Sequence, residues 1–539
     1  MSLTCDDVRN QLLAESIDRI FEMRSRPVCT IWDKEWQNPM PIVGEIAASF
    51  EDLLNDSGQG EIKLLGSNRL NDWLLDELED EEDVHLVVQS GGKRWSGKCT
   101  GIVDEGTEGG VEFVTIAFIS EYEHVKKITC FCNPLLPPEF QYPKLFALAA
   151  PSVTAVRSLM FLNLLRRFAP LWALPEDLFN PGNWAENLIP SNWPIVVMPG
   201  KGVLFDTSMW TVVSTRFGNL HDVVAPTLAD AGLKITATRW LPGDAQPAPD
   251  HFILSEPTLL LDVIDQSGYV GPSGTLLDGL LHFTSNVADD LINEVNTITN
   301  PANPPENSIP GFMGTTTIPW VKYRNAHRVG KSGISSWKRT IHKATAGAIV
   351  TGGHSPDYIN AGLKLLVNAA LGYIGQIFAN PALGIGIFDS QITDVVLAFH
   401  RTTNPRRIAA MGIRGPSFGE HWEASGGTGF SLSALQSIRT GFWRTRAYST
   451  YKFTAVNGAG GYWVGRHFDT GDRVAAEVGR RGKLYVDRVH SLKLSWSRGQ
   501  DPTWTISIGD DKADDAPGAL LGRQVEQVRG IAQAIGVSS

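Results

Sequence analysis

Val84-His85-Leu86-Val87-Val88-Gln89, then Ser90-Gly91-Gly92, then Lys93-Arg94-Trp95-Ser96-Gly97-Lys98 reads as a β-hairpin. Two extended runs flank a short glycine turn, which supplies the positive φ that a tight connection requires. The same period of two recurs on either side. Cys29-Thr30-Ile31-Trp32-Asp33 precedes the hairpin, before the breaker Asn38-Pro39-Met40-Pro41. Val111-Glu112-Phe113-Val114-Thr115-Ile116-Ala117-Phe118 and Lys127-Ile128-Thr129-Cys130-Phe131 follow it. Short strands with turn punctuation predict an antiparallel barrel or sandwich. Far downstream, residues 449–455, 461–465, 483–494 and 503–508 repeat the pattern between glycine-rich turns.

Helical spacing fills other regions. Leu12, Leu13, Ile17, Ile20, Phe21 and Met23 place a helix in the first 30 residues. Pro151-Ser152 opens a stronger one, carried by Val153, Val156, Leu159, Met160, Leu162, Leu164 and Leu165, with Arg166 and Arg167 near its C-terminal end. Asn219 is placed to cap a helix over residues 220–231 that Gly232 ends, and residues 233–240 then alternate as a strand. Residues 259–263 form a short apolar strand, residues 275–281 start a helix, and residues 519–535 form a final one. The fold class that follows is multidomain α+β, with antiparallel β-barrel-like domains at both ends of the chain and a mixed α/β middle. Its expected parts are residues 1–145 (N-terminal helix plus β-domain), 146–255 (helix plus small α/β domain), 256–440 (loop-rich, peripheral, with apolar helices) and 441–539 (C-terminal β-domain with the final helix).

Composition narrows the function. The chain has 539 residues, about three to five domains at roughly 100–200 residues each. With 42% hydrophobic and 19% charged residues it is neither a disordered chain nor a coiled-coil rod. Lys plus Arg is 47 and Asp plus Glu 58, a net charge of −11, so the whole surface is no nucleic-acid footprint. Five cysteines in this length exclude a disulfide scaffold and fit a reducing cytoplasm. Met1-Ser2-Leu3-Thr4-Cys5-Asp6-Asp7 lacks the basic and apolar regions of a signal peptide. Residues 365–388 are apolar, but Asn368, Gln376, Asn380 and Pro381 interrupt them. Two buried helical pieces bending at Asn380-Pro381 are expected there, rather than a membrane span.

Patterns that carry chemistry fail one by one, and no catalytic, cofactor-binding or metal-ligating residue is assigned. Gly330-Lys331-Ser332 ends like a phosphate-binding loop, but Asn325 stands where the first Gly is needed. Gly458-Ala459-Gly460-Gly461 runs into Tyr462-Trp463-Val464 and reads as a hairpin turn. His421-Trp422-Glu423 has deaminase spacing without the Cys-x-x-Cys partner. Cys130-Phe131-Cys132 reads as two core thiols on a strand, and Asp510-Asp511-Lys512-Ala513-Asp514-Asp515 lacks the Gly and Glu of a calcium loop. Gly353-His354-Ser355-Pro356-Asp357 is a helix start, because a triad draws its groups from separate elements. Two charged stretches stand out. Asp76-Glu77-Leu78-Glu79-Asp80-Glu81-Glu82-Asp83 holds seven acids in eight residues and reads as a solvated loop or helix end. Residues 321–343, including Lys322, Arg324, Lys338, Arg339 and Lys343, hold seven Lys or Arg and no acid, a solvated face or a grip for an anionic partner or a neighbouring subunit's acidic face.

The ordered series of local patterns resembles one family. Ser208-Met209-Trp210, Thr215-Arg216-Phe217-Gly218-Asn219-Leu220 and Leu228-Ala229-Asp230-Ala231-Gly232-Leu233 are similar to segments of the minor tail proteins, or baseplate hubs, of long-tailed actinobacteriophages. So are Gly271-Pro272-Ser273-Gly274-Thr275-Leu276-Leu277-Asp278-Gly279-Leu280, Ile318-Pro319-Trp320-Val321-Lys322-Tyr323-Arg324, Gly352-Gly353-His354-Ser355-Pro356-Asp357-Tyr358-Ile359-Asn360, and Ile508 through Pro517. The acidic stretch is not among the segments that carry the resemblance. The resemblance implies a structural, non-enzymatic hub without cofactors. It implies a homotrimer closing the tail tube below a distal tail protein ring, with two barrel-like domains per chain lining a channel. Tape measure protein and other minor tail or fibre proteins are the implied partners, and DNA only passes through. The implied location is the virion tail tip, assembled in the host cytoplasm and away from membranes. Removing residues 441–539 is then expected to abolish trimerisation. Two other classes compete: an envelope-acting peptidoglycan or polysaccharide hydrolase, and a carbohydrate-binding adhesion protein suggested by 16 Trp.

Overall fold

The structure is a computed structural model. It describes residues 25–106, 110–142, 146–169, 188–282, 319–324, 334–354, 399–412, 419–428, 444–455, 461–477 and 484–508, with short stretches and single positions elsewhere. It divides into two compact units, one of residues 1–285, 305–339 and 450–539, the other of residues 286–304 and 340–449.

Seven strands open the first unit: β1 (Val28–Trp32), β2 (Met40–Pro41), β3 (Ala47–Leu53), β4 (Gln59–Leu65), β5 (His85–Ser90), β6 (Lys93–Gly106) and β7 (Glu112–Ser120). β5 and β6 form the hairpin read from sequence, in register from His85↔Lys98 to Ser90↔Lys93. Gly91 and Gly92 sit at φ 59° and 99°, the positive values a two-residue turn requires. The ladder runs β4-β7-β6-β5-β1-β2, with β3 on the other side of β4.

Expected in separate domains, the strands from the two ends of the chain share one sheet. β3 pairs antiparallel with Leu484–Ser497, from Leu53↔Ser491 to Ala47↔Ser497. Leu484–Ser497 continues to Thr503–Ile508, then to Tyr448–Ala455, with Ile334–His342 beyond. The cause lies in facing apolar residues: Phe50, Ile62, Ile116 and Phe118 enter the same core as Phe453, Leu492, Trp496 and Ile506. A strand edge left open at β3 would expose unpaired backbone groups, and the C-terminal strands satisfy them. One sequence expectation fails here: residues 461–465 form no strand. Gly461 and Gly465 have φ of 88° and 83°, and Gly458 N–H bonds Tyr462 O at 2.8 Å in a turn.

A second core in this unit gathers the middle of the chain. Thr258–Asp265 pairs antiparallel with Leu233–Trp240 and parallel with Ile195–Val197. The helix Ser152–Phe168 buries Val156, Leu159, Met160 and Leu164 of the expected stripe together with Ala155, while Val153, Leu162 and Leu165 are half-buried. Asp206 anchors its start, accepting from Thr154 N at 2.9 Å and Oγ1 at 2.6 Å. Asn219 does precede helix Leu220–Ala231, but its side chain makes no capping bond; Leu220 N–H reaches Ile128 O at 2.8 Å instead. Gly232 ends that helix in the left-handed conformation, φ 67°.

In the second unit, Ala348–His354 pairs antiparallel with Phe399–Thr403 and parallel with Glu420–Thr428. Asn404 caps helix Pro405–Met411. The buried Arg407 guanidinium donates to Ala346 O, Phe442 O and Thr445 Oγ1. Residues 330–332, 355–357, 365–388, 510–515 and 519–535, on which several expectations fell, lie outside the described residues.

Candidate assembly surface

Three internal joints set the geometry of the surface. At the first, Lys93 Nζ lies 2.5 Å from Asp52 and also bonds Asp469, which Lys234 reaches at 3.2 Å. Thr470 Oγ1 donates to Asp52 at 3.0 Å. Burial alone would lower the Lys93 ammonium, but the two carboxylates outweigh it and raise it well above its ordinary value. Lys93 opens β6 and Asp469 lies 376 residues later, so no local pattern announces the pair.

At the second joint, Arg239 holds Glu121 through two bonds, Nε at 3.0 Å and a terminal nitrogen at 2.9 Å. Both side chains are buried, and the guanidinium stands 4.5 Å from the Trp36 ring centre. His85 stacks on the same indole at 4.4 Å. Beside them, Arg94 grips Asp244 with both terminal nitrogens and tethers the hairpin to the turn after Leu233–Trp240. Burial would raise the Glu121 carboxyl, but Arg239 and His124 bring it down to about 2. Burial pushes His85 down to about 4, helped by Arg239 and Lys98 and opposed by Glu121 and Asp83.

These two shifts predict how acid acts. Because folded His85 binds its proton only near pH 4, the unfolded chain takes that proton first, near 6.5. Stability is therefore full above about pH 6.5 and falls between 6.5 and 4, by about 3 kcal/mol for this group alone. Glu121 adds stability above about pH 4.5 that is lost as pH falls toward 2. Urea melts of wild type and His85→Gln from pH 8 to 4 test this. The substitution should flatten the decline between 6.5 and 4, and parallel curves would contradict it.

The third joint brings two family-like segments together. Trp210 Nε1 donates to Leu276 O at 3.2 Å, and a Cβ on Gly279 would sit 2.1 Å from Ser208 O. The Asp278 carboxylate accepts from Ser273 N and Gly274 N, folding the 271–280 segment onto itself. The 318–324 segment goes elsewhere. Lys322–Tyr323 pairs parallel with Arg473–Glu477, and Tyr323 packs among Phe453, Tyr462 and Phe468.

Burial pushes the Cys29 and Cys130 thiols up to about 12, which suppresses thiolate character. Cys130 and Cys132 are buried core thiols, although Cys132 follows the end of the strand Thr129–Phe131. His421 faces Glu423 at 3.1 Å, and Arg444 binds the same carboxylate at 2.7 Å, an ion-paired strand face. Among the described residues no three His, Cys, Asp or Glu gather as a metal site, and no helix is long and apolar enough to cross a membrane. Trp36, Trp95, Trp193, Trp240, Trp463, Trp496 and Trp504 are buried, while Trp320 is 61% exposed.

Residues 28–510 match the family model described as Siphovirus ReqiPepy6 Gp37-like protein. The chain belongs to this siphovirus tail protein family. It is 26% identical to minor tail protein Gp28 of Mycobacterium phage L5, over 99% of this chain and 98% of that protein. It is 27% identical to Gp28 of Mycobacterium phage D29, over 94% of each. Among solved structures it is similar to the tail protein from Neisseria meningitidis MC58 (TM-score 0.41, 9% identity, 91% of this chain and 98% of that one). The 43 kDa tail protein of prophage MuSo2 from Shewanella oneidensis gives TM-score 0.41 and 9% identity over 91% and 99%. The chain is a phage minor tail protein, a structural component of the virion tail.

Proposed function

We propose that this tail protein is the baseplate hub, a homotrimer that closes the distal end of the tail tube. It joins the distal tail protein ring and the tape measure protein above to tail-tip and host-adhesion proteins below, and DNA passes through its centre. The observation that carries this reading is the single sheet built from both ends of the chain. In this reading a continuous β wall whose β3 edge is paired with the chain's own C-terminal strands supplies one segment of a ring, and rings of identical segments are how closed assemblies form. Each copy then lends its N-terminal and C-terminal β regions to a barrel-like wall. A net charge of −11 suits a conduit, because a basic lumen would hold phosphates rather than pass them. The hub works by position and has no catalytic centre.

Imaging of intact particles tests the copy number: three copies at the tail tip with both β regions at the lumen are expected. Six copies, one copy, or a location along the tube would overturn the hub reading. Host cell-wall clearing by the purified chain, abolished by one Asp, Glu or His substitution, would replace it with a hydrolase.

A further inference from the structure

Two charged surfaces remain without a role in the joints above, and they are opposite in sign. On the 319–324 segment Pro319, Val321 and Tyr323 are buried, so Trp320, Lys322 and Arg324 share the outer face. Trp320 lies edge-on to Tyr462 and His467, at 5.8 Å and 5.4 Å between ring centres. Arg324 is half exposed and reaches Glu477 only at 3.8 Å. An exposed indole framed by cations is the composition of an interface anchor. The second surface is the acidic stretch. It begins at the end of the helical turn Trp73–Glu77, and Leu75, Asp76, Glu77, Glu79, Asp80 and Glu81 are exposed. Lys34 binds Glu82, and Lys98 binds Asp83. Among the described residues no cation pairs with Asp76, Glu77, Glu79, Asp80 or Glu81. Leu75, 41% exposed, gives this surface an apolar contact of its own.

Within one chain the two surfaces lie apart. The 457–468 loop, which carries Tyr462 and His467, packs on the hairpin turn: a Cβ on Gly91 would meet Asn457 and one on Gly92 would meet Arg466. The acidic stretch enters β5 from its other end, and six strand residues separate them by roughly 20 Å. Separate surfaces of opposite charge on one chain are the composition of a head-to-tail contact between copies.

We propose that the Trp320, Lys322 and Arg324 face is the docking surface for a second copy of this chain, whose acidic 76–83 stretch seats on it with Leu75 against the indole. The proposal rests on the homo-oligomeric reading above and deepens it by assigning the contact. Each copy then offers one surface and receives the other, which closes a ring without leaving either charge bare. The interface is salt-sensitive, because exposed charges are screened beyond about 10 Å at 0.1 M ionic strength.

Sedimentation of the full chain tests this, with circular dichroism melts showing that each variant is folded. Reversing one side, by Glu79→Lys with Asp80→Lys and Glu81→Lys or by Lys322→Glu with Arg324→Glu, should raise the dissociation constant by about tenfold or more. Trp320→Ala should cost a similar factor. A chain carrying both reversals should recover association to within about threefold of wild type, which damage to the fold would not reproduce. If wild type associates and the reversals leave its constant unchanged, the oligomer stands and this contact is wrong. If wild type is monomeric at every concentration reached, the oligomeric reading falls and the contact with it.

Discussion

A chain ending at residue 440 should not fold. The cut removes Tyr448–Ala455, Arg473–Glu477, Leu484–Ser497 and Thr503–Ile508, and with them the partner of β3. Phe453, Leu492, Leu494, Trp496, Trp504 and Ile506 leave a core in which the Phe50 ring lies tilted against Trp95, at 4.9 Å, and Trp496, at 5.7 Å. Burying each such side chain stabilises by about 1.5–3 kcal/mol. Six of them amount to roughly 10 kcal/mol or more, comparable with the whole stability of an ordinary domain. The buried Glu45 carboxylate also loses the indole N–H of Trp496, a 3.0 Å bond, and Lys93 loses Asp469. Read from sequence, the same truncation affects only assembly; the shared sheet makes it affect folding first. Solubility, far-ultraviolet circular dichroism and limited proteolysis of residues 1–440 provide the measurement. A soluble monomer with a cooperative melt would refute the shared core.

The second large effect is expected at Arg239. Arg239→Met leaves the buried Glu121 carboxylate without its guanidinium, and breaking a buried pair from one side costs about 3–5 kcal/mol. Trp36 loses the same cation, whereas Arg94 keeps its 3.1 Å contact to the backbone carbonyl of residue 239. The double variant Glu121→Gln with Arg239→Met should regain a large part of that loss, because no unpaired charge is then left inside. Equilibrium urea unfolding of the two single variants and the double variant closes the cycle. Additive losses would mean that the pair carries no coupling and that Arg239 acts by packing alone.

What the sequence by itself determined was local. The β5–β6 hairpin was legible because Gly91-Gly92 between two alternating runs leaves few other conformations. Helix Ser152–Phe168 was legible because its apolar stripe has one period, and Leu233–Trp240 because Gly232 ends the preceding helix. The misreading of residues 461–465 has the same local origin. Tyr462-Trp463-Val464 has strand composition, but glycines with positive φ at 461 and 465 turn the backbone. The family resemblance was legible too, as a series of short segments in order. Tertiary structure alone decided which pieces meet. Ala47–Leu53 and Leu484–Ser497 are more than 400 residues apart, and no periodicity records that each is the other's neighbour. No local pattern marks the Lys93, Asp469, Glu121 and Arg239 charges as paired, since a side chain's surroundings depend on what packs over it from elsewhere in the chain. The physical reason is common to both. Propensity, turn chemistry and period act within about ten residues, whereas strand pairing and desolvation act through space between segments the chain brings together only on folding.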